Sequence, residues 1–297
     1  MSFSSDVKIE LCRRLGQDSG CCARAAAYGM FLYGNRLSPE LVRIVTESTA
    51  FTTAAVELVR SAFGLEFDSR TAYGKAGKVA LSITSDSAIA TLYGTFGLEP
   101  ERDPALHINL SVIECEECRN AFVRGAFLTG GSIADPVKRY HLELTTAHYY
   151  VDREMQSLLR EFEINPKSSR RGGNCMLYLK RSGEIEDMLT FMGAPLSAMA
   201  IMNAKLEKEL RSGVSRRVNC DSANAGRIAN ASVDQIAAIR RIYADGSGDE
   251  LTPILRRTAE LRLKYPEASL AELAQLGGVS KSGLAHRLSR IMKQRTT

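Results

Sequence analysis

The sequence predicts a two-domain protein of the α+β class, in which a duplicated α-β-β-α-β-β-α domain precedes an all-α domain. Three observations support this prediction. One stretch recurs at an offset of 96 residues, and helix-like and strand-like patterns follow both copies in the same order. Beyond residue 213 the strand-like patterns cease and only helical ones follow. We therefore expect one domain over residues 1–210 and a second over 215–297.

The internal repeat is clearest in two apolar helical stretches. Residues 22–34 read CARAAAYGMFLYG and residues 118–130 read CRNAFVRGAFLTG, with six of thirteen aligned positions identical. After each helix come two strand-like runs, a second helix, a hairpin-like pair and a third helix. The two copies therefore span about 20–98 and 116–194, each with the pattern α-β-β-α-β-β-α.

Glycines recur inside both repeated helices, at Gly29 and Gly125. Glycine within a helix costs about 1 kcal/mol relative to alanine. Small residues on one face let two helix backbones approach closely. We therefore expect the two helices to pack against each other about a pseudo-twofold axis. Gly34 and Gly130 could in addition mark the helix ends.

The C-terminal region contains a short capped helix, a glycine turn and a second, basic helix. Ser269 and Glu272 form a capping-box pattern at the start of the first helix. The turn GGVS, residues 277–280, separates the two helices, and Leu284 and Leu288 lie at helical spacing on the second. This is the layout of a helix-turn-helix, which we place at residues 268–292.

Positive charge concentrates in this region. From residue 205 onward there are 17 Lys and Arg against 10 Asp and Glu, whereas residues 1–204 have 22 against 24. The last 25 residues contain no acid. Such a pattern is typical of DNA binding, although a solvated surface or a plain helical hairpin stays open.

The first residues of a recognition helix reach base edges in the major groove, and cations further along contact phosphate. We expect Lys281 and Arg287 to read bases from the outward face, and Arg290, Lys293 and Arg295 to contact phosphate. The side chains expected to bind DNA are Ser280, Lys281, Ser282, His286, Arg287, Arg290 and Lys293.

The stretch RGAFLTGGS, residues 124–132, resembles the signature of the LAGLIDADG homing endonucleases, whose αββαββα halves meet through such helices. In that family an acid from each half binds the divalent metals that cleave DNA. Matched on the shared glycine, these acids correspond to Gly34 and Gly130 here. Glycine supplies no metal ligand. The resemblance therefore implies a pseudo-twofold scaffold without catalytic residues, and we expect no enzyme.

A degenerate LAGLIDADG duplication followed by a helix-turn-helix resembles the WhiA family of bacterial transcription regulators across essentially the whole chain. That family is tied to sporulation, cell division and chromosome segregation. The resemblance implies a sequence-specific regulator whose partners are double-stranded DNA and an RNA polymerase sigma factor. The stretches that carry the match are RGAFLTGGSIADP, NCDSANAGRIANA and SLAELAQLGGVSKSGLAHRL.

The composition of the chain supports expectations about its localisation and its contact with membranes. Neither a long apolar run nor a signal-peptide pattern is present, and seven cysteines without framework spacing fit a reducing compartment. We expect a cytoplasmic, nucleoid-associated monomer without membrane contact or cofactor. Two alternatives stay open: an active metal-dependent homing endonuclease, and a scaffold whose main role is protein binding.

A zinc site is the one metal hypothesis that the cysteines raise. Cys115-x-x-Cys118 could meet the pair Cys21-Cys22, because the repeat axis would bring Cys22 and Cys118 together. The second CxxC that is usual for structural zinc is missing. We therefore expect buried cysteines at helix starts and no metal.

Overall fold

The computed structural model describes residues 2–74, 77–99, 101 and 105–293, so Arg295 lies outside the described residues. The chain forms two compact units, Met1–Glu209 and Leu210–Thr297. Each unit has its own hydrophobic core. In the part of the chain that the structure describes, no helix has the length and apolar character needed to cross a membrane.

The first unit begins with helix α1 (Phe3–Leu15), which the sequence patterns did not predict, and then shows the duplication. The first copy consists of α2 (Gly20–Leu32), β1 (Arg36–Ser38), β2 (Leu41–Thr46), α3 (Thr49–Phe63), β3 (Ser69–Ala72), β4 (Val79–Ile83) and α4 (Asp86–Phe96). The second copy consists of α5 (Glu116–Gly130), β5 (Gly131–Ile133), β6 (Leu142–Thr146), α6 (Tyr149–Arg160), β7 (Lys167–Arg171), β8 (Asn174–Leu179) and α7 (Ser182–Met192). The predicted α+β class and the order α-β-β-α-β-β-α are confirmed.

Each copy forms an antiparallel four-stranded sheet, with strand orders β1-β2-β4-β3 and β5-β6-β8-β7. The register is equivalent in the two sheets, because Ile44 pairs with Leu81 in the first and Leu144 with Leu177 in the second. All four side chains are buried. The alternating apolar residues therefore place one face of each sheet on a shared core.

Helices α2 and α5 pack backbone to backbone at the centre of this core. A Cβ atom on Gly29 would overlap the carbonyl oxygen of Phe122, and one on Gly125 would overlap that of Ala26. The reciprocal contacts make the two glycines equivalent in the duplicated fold. The packing role predicted for these glycines is confirmed.

A buried ion pair ties α5 to the elements around it. Arg124 Nη2 lies 2.8 Å from Asp18 Oδ1, and both side chains are almost fully buried. Arg124 Nη1 also donates to the carbonyl oxygen of Met192 at 2.5 Å. One guanidinium thus joins the turn before α2 and the end of α7 to the central helix.

The second unit is helical. Helix α8 (Pro195–Ala244) begins in the first unit and runs unbroken through residues 211–213, where the sequence pattern suggested a break. The helices that follow are α9 (Pro253–Lys264), α10 (Leu270–Leu276) and α11 (Lys281–Lys293). The core among them contains Ile239, Ile242, Leu251, Leu255, Ala259, Leu273, Ala274, Leu284, Leu288 and Ile291.

Candidate nucleic-acid interface

A complete capping box begins helix α10. The backbone N–H of Ser269 donates to Glu272 Oε2 at 2.7 Å, and the N–H of Glu272 donates to Ser269 Oγ at 3.3 Å. The backbone N–H of Ser269, aided by its hydroxyl, holds the pKa of the Glu272 carboxyl below its usual value. The carboxylate is therefore already engaged by the helix start, as the sequence pattern predicted.

The turn between α10 and α11 depends on Gly278, whose φ of +60° is a conformation that favours glycine. The N–H groups of Gly278 and Val279 donate to the carbonyl oxygens of Gln275 and Ala274 at 3.2 and 3.0 Å. These bonds satisfy the last carbonyls of α10 and reverse the chain. The turn thereby sets where α11 begins.

Ser280 caps helix α11, because its Oγ accepts a hydrogen bond from the N–H of Gly283 at 3.1 Å. Leu284, Leu288 and Ile291 anchor the helix, and each is at most 2% exposed. Their spacing of three and four residues puts them on one side of the helix. The opposite side consequently faces solvent.

Most of the side chains expected to contact DNA lie on that solvent-facing side or at its N-terminal edge. The exposed members of the set are Ser280, Lys281, Ser282, His286, Arg290 and Lys293. Helix α11 contains no acidic residue. The structure thus brings a polar start and a row of cations together on one short helix.

Arg287 is the exception. It lies three residues after Leu284 and four before Ile291, which is the spacing of neighbours on one helix face. Its side chain is half-buried, and it lines a surface hollow together with Arg257 and Leu261 of α9. The structure therefore puts Arg287 at the edge of the buried face and not on the outward face where we expected it.

A buried arginine that the sequence did not point to also positions the helix-turn-helix. Arg262 of α9 is 1% exposed. Its Nε donates to Gln235 Oε1 at 2.9 Å, and its Nη1 donates to the carbonyl oxygen of Ala268 at 2.5 Å. The guanidinium therefore joins the late part of α8 to the residue that precedes the capping box.

The two positions that match catalytic acids have no room for a side chain. A Cβ on Gly34 would lie 2.9 Å from the carbonyl oxygen of Phe31. A Cβ on Gly130 would lie 2.5 Å from the carbonyl oxygen of Thr145 and 2.8 Å from Tyr33 Cδ1. Neither position supplies a carboxylate oxygen to a metal ion.

The cysteines at the starts of α2 and α5 converge. The Sγ atoms of Cys21, Cys22, Cys115 and Cys118 all lie within 4.8 Å of one another. Only Cys118 is buried, whereas Cys21 and Cys22 are half-buried and Cys115 is exposed. The expectation of four buried cysteines was therefore wrong for three of them.

Two family models match the chain. One, described as the WhiA C-terminal HTH domain, covers residues 214–294, and the other, described as the WhiA LAGLIDADG-like domain, covers residues 119–211. Among solved structures, the chain is similar to full-length WhiA from Thermotoga maritima, with a TM-score of 0.61 and 24% identity over 99% of this chain and 97% of that one. It also resembles the N-terminal LAGLIDADG domain of WhiA, with a TM-score of 0.50 and 20% identity over 65% of this chain and 92% of that one. Both likenesses concern the fold.

Curated relatives extend the match to the full length. The chain is 33% identical over 308 aligned positions, gaps included, to the "Probable cell division protein WhiA" of Clostridium botulinum strain Hall. The alignment covers 99% of this chain and 97% of the relative. It is 34% identical over 301 aligned positions to the protein of the same name in Ruminiclostridium cellulolyticum. That alignment covers 98% of this chain and 96% of the relative. The chain therefore belongs to the WhiA family, with its LAGLIDADG-like and helix-turn-helix domains.

Proposed function

We propose that this protein is a sequence-specific DNA-binding transcription regulator that inserts helix α11 into the major groove of double-stranded DNA. The observation that carries this proposal is the solvent-facing side of α11, which has a polar N-terminal turn, a row of cations and no acid. A major groove about 12 Å wide admits one α-helix. The capping box, the glycine turn and Arg262 hold that helix at a defined angle.

Base reading falls on the first part of α11. Ser282 and His286 are four residues apart and both exposed, so they share the outward face. Lys281, the first residue of α11, is exposed and lines a surface hollow with Ser269 and Leu270, so it approaches the base edges from the side of the first turn that faces α10. A serine hydroxyl and an imidazole can donate or accept hydrogen bonds at base edges, and a lysine ammonium suits the two acceptors of guanine. These three side chains therefore discriminate among sequences.

Phosphate contacts fall on the rest of the helix and on its flank. Arg290 and Lys293 are exposed beyond the base-reading turn. Arg257 and Arg287 line one hollow next to the turn, so they offer a second pair of cations on the flank of α11. Cations at such places neutralise phosphates without reading bases, and their contribution falls as salt rises.

Family membership supports a proposal about the biological role. The curated relatives are named as probable cell division proteins. We propose that this chain regulates genes of cell division, sporulation and chromosome segregation, acts with an RNA polymerase sigma factor, and works as a cytoplasmic, nucleoid-associated monomer. We further propose that it does not cleave DNA, because Gly34 and Gly130 leave no space for metal-binding carboxylates.

The decisive experiment has two steps. Sites occupied by the protein are first mapped across the genome, and binding to one target duplex and to its scrambled counterpart is then measured. Replacing Lys281 or His286 by alanine should cost about 1–3 kcal/mol on the target and reduce the ratio of target to scrambled affinity. Asn230→Ala on α8 serves as the comparison and should leave that ratio unchanged.

Two outcomes would overturn the proposal. If Lys281→Ala and His286→Ala leave the affinity ratio unchanged while Asn230→Ala lowers it, the asparagine-rich segment 219–230 reads the DNA. If removal of residues 215–297 leaves DNA binding intact, the helix-turn-helix is not the DNA-binding element. In that case the scaffold alternative would account better for the second unit.

A further inference from the structure

We propose that Cys21, Cys22, Cys115 and Cys118 bind one Zn²⁺ ion, which ties the starts of the two central helices together. Cys21 and Cys22 are the second and third residues of α2. Cys115 is the N-cap residue of α5, and Cys118 is in its first turn. Each copy of the duplicated fold thus supplies two thiolates to one site.

The distances between sulfur atoms match a tetrahedral shell. A Zn–S bond of about 2.3 Å in a regular tetrahedron places the sulfur atoms about 3.8 Å apart. Cys115 Sγ lies 3.8 Å from Cys21 Sγ, 3.7 Å from Cys22 Sγ and 3.4 Å from Cys118 Sγ. Cys118 Sγ lies 3.8 Å from Cys22 Sγ. The other two pairs lie within 4.8 Å, so the four sulfurs surround a space of about the size of one metal ion.

The same distances argue against other uses of the cysteines. A disulfide brings two sulfurs to about 2.05 Å, and all four cysteines are free thiols here. Thiols that only fill a core would be buried, yet Cys115 is exposed and the Cys21–Cys22 pair is half-buried. A cluster of several irons would hold its thiolates further apart than the edges of a single-ion tetrahedron. Tetrahedral coordination of one ion by four thiolates is the usual geometry of structural zinc, and elemental analysis separates zinc from a single iron, which would have the same sulfur spacing.

The backbone at the starts of α2 and α5 stabilises negatively charged thiolates. The unpaired N–H groups and the positive dipole end of a helix favour negative charge at its first turn. Here two helices, of 13 and 15 residues, begin at the same point. An ion pair between Arg24 and Glu114, at 2.9 Å, links the same two helix starts beside the sulfurs. The site is thus built by two elements that are already held close together.

This site is not the metal site of the homing endonucleases. The positions that match catalytic acids, Gly34 and Gly130, lie at the other ends of the same helices. Twelve residues separate Cys22 from Gly34, which corresponds to about 18 Å at 1.5 Å per residue. Four protein ligands also leave no position for water or substrate, so the ion has a structural role.

Zinc would constrain segments that are far apart in sequence. Cys22 and Cys115 are separated by 93 residues, so one ion closes a loop that includes most of the first copy. Metal bound only by the folded state stabilises that state. We therefore expect the central helix pair, which is already joined at Gly29 and Gly125, to depend on the metal for the order of its first turns.

The test uses the full chain, purified under reducing conditions without added metal. Elemental mass spectrometry should find about one zinc per chain. The double variant Cys115→Ser/Cys118→Ser should lose the metal, whereas Cys220→Ser in the second unit should retain it. Retention of zinc by the double variant, or its loss from Cys220→Ser alone, would refute the assignment.

Two measurements on the unmodified chain guard against a variant that fails to fold. Chelation should lower the melting temperature and speed amide hydrogen exchange at residues 19–23 and 115–119, and added Zn²⁺ should reverse both effects. Replacement by Co²⁺ should give the charge-transfer absorption of a tetrahedral thiolate site. Purified protein that contains no zinc and does not respond to it would overturn the proposal. Iron in place of zinc, or disulfides among these cysteines under the same conditions, would overturn it equally.

Discussion

Gly125 of helix α5 lies directly against the carbonyl oxygen of Ala26 in helix α2, so that a Cβ atom at position 125 would overlap this oxygen. Gly29 makes the reciprocal contact with the carbonyl oxygen of Phe122. The two copies of the duplicated fold therefore meet through backbone atoms. Any side chain at either glycine must push the copies apart.

Replacing Gly125 by alanine should destabilise the first unit by about 1–3 kcal/mol or more, because the added methyl group overpacks a contact between two backbones. The matched control is Gly94→Ala on α4, where a Cβ would meet nothing within 4 Å. That substitution should stabilise the protein by about 0.5–1 kcal/mol through helix propensity. Urea unfolding followed by circular dichroism measures both. Equal stability of the two variants would show that the glycines do not determine the packing.

Restoring carboxylates at the two matched positions should not produce a nuclease. In the double variant Gly34→Asp/Gly130→Asp, each side chain would collide with a backbone carbonyl, and Gly130→Asp would also collide with Tyr33. We expect a destabilised first unit and no metal-dependent nicking of supercoiled plasmid. Gly183→Asp near the start of α7 has open space and should be tolerated. Nicking by the unmodified protein with a divalent metal would refute the inactive-scaffold interpretation.

Substituting Arg290 or Lys293 by glutamine should weaken binding to target and scrambled duplexes by the same factor. Each exposed cation is expected to neutralise one phosphate, so each substitution should reduce the slope of log affinity against log salt by about 1. A salt series with both duplexes measures the slope and the affinity ratio together. A change in the ratio for Arg290→Gln would show that this side chain reads a base.

Substituting Arg262 by methionine should destabilise the second unit by about 1–3 kcal/mol, because Gln235 and the carbonyl of Ala268 would lose their buried donor. Arg257→Met, an exposed position on the same helix, should change stability by less than about 0.5 kcal/mol. Unfolding by urea compares the two variants. If Arg262→Met proves as stable as Arg257→Met, the guanidinium is not what positions the capping box of α10.

Stability should fall in mildly acidic solution partly because of His148. Burial lowers the pKa of its imidazole in the folded state, whereas the unfolded chain takes up a proton near pH 6.5. The unfolded state therefore binds more protons between the two pKa values, and stability is lost as the pH falls from about 6.5 through the folded-state pKa. His148→Gln should flatten this part of the stability curve. An unchanged curve from pH 7 to pH 5 would exclude His148 as its cause.

Much of the fold was predictable because its signals are local or repeated. The identities between residues 22–34 and 118–130 exposed the duplication, and short strand-like runs rich in apolar and β-branched residues marked strands such as β2 and β6. The pattern Ser269 to Glu272, followed by a double glycine, located the helix-turn-helix and its cap. Each of these signals depends on neighbours within a few residues or on direct comparison of two stretches.

Other features could not be predicted because they depend on distances between remote segments. Arg287 lies on a helix with several other cations, and only the position of its side chain beside Arg257 and Leu261 of α9 shows that it is half-buried. In the sequence, Arg262 is one cation of an amphipathic helix like any other. Its buried hydrogen bonds to Gln235 and to the carbonyl oxygen of Ala268 exist only in the folded unit. Helix α8 continues through residues 211–213 although a glycine and a serine weaken its local propensity.

The four clustered cysteines show most clearly what the sequence determined and what the tertiary structure decided. The sequence by itself determined that two thiols stand at the start of each repeated helix, since the duplication aligns Cys22 with Cys118. It could not determine whether the starts of the two helices meet in space. A separation of 93 or more residues along the chain does not fix the distance between two side chains. The tertiary structure decided this through Gly29 and Gly125, whose missing side chains let α2 and α5 approach until four sulfurs lie within 4.8 Å. A ligand set divided between two copies of a fold exists only once the copies have packed.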